Sequence, residues 1–180
     1  MSVLKIDLRD LRSGSFRVEG NIGASQLGLS RATGFFFTGP LVLRVRISTT
    51  NRLTYYVSGW VSFEISGECA RCLKELSHED RIRISGVFAF PEAVAKLDLT
   101  EKEVEQEGIF PLEAGQKIID LTDLVRESVV LEYPRFLKCT EQCKGLCPVC
   151  GCDLNEKVCN CRQNAIDPRW AKLAELKRKG

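Results

Sequence analysis

Seven cysteines fall within the 23 residues 139–161, and two more stand at Cys69-Ala-Arg-Cys72. No other feature restricts folding as strongly. A segment this rich in thiols, glycine and proline cannot build an apolar core, so cross-links or a metal must organise it. The total of nine is odd, which rules out complete internal pairing. No apolar run approaches the roughly 18–20 residues of a membrane helix. The first twenty residues carry charges throughout and lack the apolar stretch of a secretory signal. These features predict a cytoplasmic chain in a reducing compartment, where structural disulfides are rare. The cysteines therefore read as metal ligands or redox groups.

Spacing narrows the chemistry. Zinc in a closed structural site takes four ligands in a tetrahedron, and thiolates suit it. Cys147-Pro-Val-Cys150-Gly151 has the form of a zinc knuckle: proline stiffens the approach, and glycine permits a left-handed turn. With Cys159 and Cys161 it completes one four-sulfur site. Cys139 and Cys143 then join Cys69 and Cys72 in a second. Cys152 is left over as a small bystander. A competing partition groups Cys139, Cys143, Cys147 and Cys150. The two-site split is preferred because it uses eight cysteines. Thiolates alone do not separate zinc from an iron–sulfur cluster, so zinc, two ions, is the leading expectation. A thioredoxin-like role for the Cys69–Cys72 pair is disfavoured, because that motif opens a helix in a βαβ unit. Cys143-x3-Cys147-x2-Cys150 also has the spacing of radical-SAM enzymes, but the chain lacks the βα repeat such a barrel needs.

The rest of the chain alternates. Leu41, Leu43, Val45 and Ile47 face one way, with Val42, Arg44 and Arg46 opposite. Tyr55, Val57, Gly59, Val61, Phe63 and Ile65 repeat the pattern against Tyr56, Ser58, Trp60, Ser62 and Glu64. Residues 49–52 between them read as a hairpin turn, residues 81–90 as another strand, and residues 16–22 and 34–38 as shorter ones. Residues 92–117 form an acidic loop with a turn or two of helix and a short strand near 108–112. Asp120 reads as the N-cap of a helix carrying Leu121, Leu124, Val125 and Val129 and ended by Pro134. Asp167-Pro168 opens a terminal helix with a basic end. The expected class is α+β: a mainly antiparallel sheet or partly closed barrel with a few helices and a C-terminal Cys-rich zinc-knuckle segment. Residues 1–134 make the core and 135–180 the metal-binding segment and last helix.

Net charge is +2, yet the charge is segregated. Residues 1–60 carry net +5, residues 61–134 net −8 and residues 135–180 net +5. Arg44, Arg46 and Arg52 lie near Tyr56 and Trp60 on neighbouring predicted strands, and the last helix presents Lys172, Lys177, Arg178 and Lys179. Cations beside aromatic rings on a sheet are how such surfaces bind single-stranded RNA. The plainer reading is a solvated strand face with ordinary cross-strand pairs. No carboxylate cluster with the spacing to hold catalytic magnesium is evident. His78, beside Glu79 and Asp80, reads as a surface residue rather than a general base.

At Glu141-Gln-Cys-Lys-Gly-Leu-Cys-Pro-Val-Cys-Gly-Cys-Asp-Leu-Asn-Glu156, the Cys159/Cys161 pair and the ending Ile166-Asp-Pro-Arg-Trp-Ala-Lys-Leu-Ala-Glu-Leu-Lys177, the chain resembles the YceD family. The resemblance implies a bacterial cytoplasmic protein, with plastid relatives, that supports accumulation or processing of large-subunit (23S) ribosomal RNA without enzymatic activity. The implied partners are that RNA or a large-subunit ribosomal protein, with no membrane and no small-molecule substrate. Cys152 departs from the family motif, where another residue is common. The alternatives are a zinc-binding protein–protein adaptor without RNA contact and a thiol redox protein.

Overall fold

In the computed structural model the described residues are 3–11, 14–29, 36–97, 103–104, 107–132, 134 and 136–161. The expected terminal helix, with Lys172, Lys177, Arg178 and Lys179, lies outside them. The chain divides into two compact units. One comprises Met1–Gly67 and Glu75–Leu137, the other Glu68–Lys74 and Lys138–Gly180.

The first unit is built on a six-stranded sheet. Its strands are β2 (Gly14–Ile22), β3 (Phe36–Phe37), β4 (Leu41–Thr49), β5 (Thr54–Glu68), β6 (Glu75–Ala89) and β7 (Ile109–Pro111). They run in the order β2-β4-β5-β6-β7, with β3 paired to β5. β2–β4, β4–β5 and β3–β5 are antiparallel; β6–β7 is parallel. Among the described residues the sheet ends at β2 and β7 without joining, so it is open and the barrel alternative falls away. A separate two-stranded sheet pairs β1 (Lys5–Asp7) with β8 (Ile118–Asp120).

One wet face and one dry face explain the alternation. Leu41, Leu43, Ile47, Val61, Ile65 and Ile84 are fully buried. The arginines between them are exposed. Helices α1 (Pro91–Val94) and α2 (Thr122–Glu132) follow. α2 buries Leu124, Val125 and Val129. It packs against β6 where Gly86 leaves room: a Cβ there would come within 2.8 Å of a Leu124 methyl. Leu124 thus completes the inward row of Ile82, Ile84 and Phe88.

Asp120 is not the N-cap by position. It ends β8, and the Leu121 carbonyl accepts the first helical bond, from Val125 N–H at 3.0 Å. The Asp120 carboxylate instead accepts the Thr122 N–H at 2.9 Å. The sheet pairing of Ile118–Asp120 pulls the helix start one residue along, to Thr122. The β4–β5 turn is set by Asn51, whose side-chain oxygen accepts the Leu53 and Thr54 N–H groups at 3.0 and 2.9 Å. Arg52 adopts the left-handed φ of 59° in this turn.

Candidate metal centres and a basic sheet face

Both thiol groups lie in the second unit. The Sγ atoms of Cys69, Cys72, Cys139 and Cys143 all fall within 4.8 Å of one another. Cys69 and Cys143 sulfurs are 3.9 Å apart and those of Cys72 and Cys139 3.7 Å apart. Four sulfurs about 2.3 Å from one ion in a tetrahedron stand roughly 3.8 Å from each other. The spacing is far too long for disulfides and fits a four-thiolate ion, zinc included.

The backbone arranges this geometry. The Arg71 and Cys139 N–H groups both donate to Cys69 Sγ at 3.4 Å. The Cys72 N–H, with these two, holds the Cys69 thiol down at about 6, which favours its thiolate form. The Lys74 N–H lowers the Cys72 thiol, but burial and the Cys69, Cys139 and Cys143 thiols outweigh it, pushing Cys72 up to about 12. Asn155 Nδ2–H donates to Cys143 Sγ at 3.4 Å, and Arg71 Nη1 donates to the Cys143 carbonyl at 2.8 Å. Gly145, at φ 74°, passes so close to the Arg71 carbonyl that a Cβ would sit 3.0 Å from it.

The second group is Cys147, Cys150, Cys152 and Cys159, again with all sulfurs within 4.8 Å. The N–H groups of Cys150 and Val149 lower the Cys147 thiol to about 6. Gly151 turns at φ 72°, its N–H bonding the Cys147 carbonyl at 2.9 Å. The Cys152 carbonyl then accepts the Cys147 N–H at 2.8 Å, which draws Cys152 into the cluster. The bystander of the sequence reading is thus among the clustered sulfurs. Cys161, expected as a ligand, is not one of the four, although its thiol interacts with Cys150 and Cys147.

A different surface lies on the wet face of the sheet. Arg17 pairs with Arg46 across β2–β4, and Arg44 with Trp60 across β4–β5. With Arg83 they line a trough of about 490 Å³. The Arg81 guanidinium lies 4.6 Å from the centroid of the Trp60 ring. Arg44 is paired to Glu19 at 2.8 Å. Among the described residues no ion pair involves Arg17, Arg46 or Arg83. Gly59 lets β5 lie close against β4 beneath the trough: a Cβ there would lie 2.1 Å from the Arg44 carbonyl oxygen. Of the residues expected at an RNA surface, Arg44, Arg46 and Trp60 come together. Tyr56 lines a separate cavity with Asn51 and Lys96, and Arg52 lies in the β4–β5 turn. Arg17, Arg81 and Arg83 escaped the sequence reading. Their signal was the outward phase of strands β2 and β6. His78 is exposed, with Asp80 at 4.0 Å.

Among the described residues no helix is long and apolar enough to cross a membrane. No solved structure matches the chain. An uncharacterized protein of Mycobacterium tuberculosis is 35% identical over 120 residues, covering 67% of this chain and 54% of that protein. The chain therefore spans about half the length of the mycobacterial relatives it matches. An uncharacterized Bacillus subtilis protein, YlbN, is 30% identical over 119 residues, 63% of each chain. The Arabidopsis thaliana protein named "Large ribosomal RNA subunit accumulation protein YCED homolog 1, chloroplastic" is 35% identical over 68 residues, 38% of this chain and 21% of its own. The family described as "Large ribosomal RNA subunit accumulation protein YceD" matches residues 57–177, more than half of the sequence, and the chain belongs to it.

Proposed function

We propose that the protein is a non-enzymatic, cytoplasmic ribosome-biogenesis factor that supports accumulation of large-subunit (23S) rRNA by binding that RNA. The family description supports the ribosomal role. The observation that carries RNA contact is Arg17 directly opposite Arg46, with Arg83 in the same trough and, among the described residues, no carboxylate paired to any of the three. Like charges directly opposite each other across strands are destabilising. An anion removes that cost, and guanidinium groups match phosphate oxygens in pairs. Arg44 and Trp60 line the same trough, and Arg52, Tyr56, Lys172, Lys177, Arg178 and Lys179 are further candidate RNA contacts. The two thiol groups each hold a zinc ion that fixes the fold of the second unit, through Cys69, Cys72, Cys139 and Cys143 in one and the sulfurs around Cys147 and Cys150 in the other.

Ultraviolet crosslinking in cells, followed by sequencing of the recovered RNA, tests this. The wild type should recover large-subunit rRNA, and an R17A/R46A/R83A variant should recover little. Equal recovery by both would remove the arginine face from the account. A second reading, a zinc-bearing adaptor that holds a ribosomal protein, is favoured by exposed apolar side chains beside the thiols: Leu73, Val149 and Val158 are 57%, 63% and 96% exposed. It predicts recovery of a ribosomal protein that survives ribonuclease treatment.

A further inference from the structure

The second thiol group offers more sulfurs than one tetrahedral ion accepts. Cys147, Cys150, Cys152 and Cys159 cluster within 4.8 Å. Cys161 is a fifth, tethered two residues beyond the clustered Cys159. Cys152 is among the four clustered sulfurs, within 4.8 Å of Cys150 and Cys159. The tethers are equivalent. Cys152 follows Cys150 by two residues, and Cys161 follows Cys159 by two. Two residues span at most about 7 Å between Cα atoms. Neither thiol can move far once Cys150 and Cys159 are held. The first group has no such surplus, with four cysteines for four positions.

We propose that Cys147, Cys150 and Cys159 form the fixed part of the second metal site, and that Cys152 and Cys161 exchange at its fourth position. This rests on reading the two groups as zinc sites. Closed structural zinc sites are four-coordinate, so one of the two thiols is bound and the other is free beside the ion. Eight ligands out of nine cysteines leave one free thiol per folded chain. Because either thiol can fill the position, loss of one leaves the ion held.

The zinc-loaded full chain, briefly treated with iodoacetamide under native conditions, tests the exchange. The free sulfur displaces iodide, forming a C–S bond and releasing iodide and a proton, which traps whichever cysteine is unbound. Intact mass should show a single label, and peptide mapping should divide it between Cys152 and Cys161. C152S and C161S should each retain about two zinc ions, and C152S/C161S about one. A label confined to Cys152 or to Cys161, or loss of a zinc from either single variant, would overturn the exchange while leaving the zinc reading intact. Wild-type protein without zinc would overturn both. The labelling arm uses unmodified protein, so it stands even if a variant fails to fold.

Discussion

Replacing Arg17, Arg46 and Arg83 together with alanine separates phosphate binding from fold maintenance. All three side chains are exposed, and none has a carboxylate partner among the described residues. Each phosphate neutralised on a single strand contributes a slope of about −0.7 to log affinity against log salt. Three contacts therefore give a slope of about −2.1, or roughly a 20-fold loss of affinity between about 50 and 200 mM salt. Arg44, already bonded to Glu19, should add less. The assay is fluorescence anisotropy with a labelled single-stranded fragment of large-subunit rRNA, repeated across that salt range. The wild type should show the steep dependence, and the triple variant should lose about two units of slope. The variant should melt no lower than the wild type. Removing the Arg17–Arg46 repulsion acts in its favour. A variant that keeps the wild-type slope would refute the reasoning, because the phosphates would then lie elsewhere.

Gly59→Ala should destabilise the first unit by about 1–3 kcal/mol, since the new methyl meets β4 backbone and the strands must part; a lowered melting temperature together with weaker RNA binding checks it. Leu124→Ala removes a side chain only 4% exposed over Gly86, and should cost about 2–5 kcal/mol by denaturant titration. Cys143→Ser should leave about one zinc per chain by elemental analysis, because Cys143 is one of only four sulfurs in the first group.

Much of the sheet was legible because one of its faces is dry. Leu41 through Ile47 and Tyr55 through Ile65 alternate between buried and exposed in the order the sequence predicts. β2 was harder to read, since among its nine residues only Ile22 is buried. The β1–β8 pair was not legible at all: three-residue strands carry too little periodicity, and their partners lie more than a hundred residues apart. The parallel β6–β7 pairing depends on a crossover whose register leaves no local mark. The first thiol group could be read from spacing, because its two pairs are separate in sequence. The second could not. Spacing favoured Cys161 over Cys152, whereas the Gly151 turn and the Cys147–Cys152 backbone bond bring Cys152 inward. The basic face was half read, because Arg17 and Arg83 enter it only once β2 is known to flank β4 and β6 to flank β5.

The central claim is that the arginine face of this chain sustains large-subunit rRNA. The most direct test is the ratio of large- to small-subunit rRNA in a deletion strain complemented with the wild-type protein or with R17A/R46A/R83A. The account predicts a lowered ratio on deletion, restored by the wild type and not by the variant at equal protein level. An unchanged ratio on deletion, or full restoration by the variant, would contradict it.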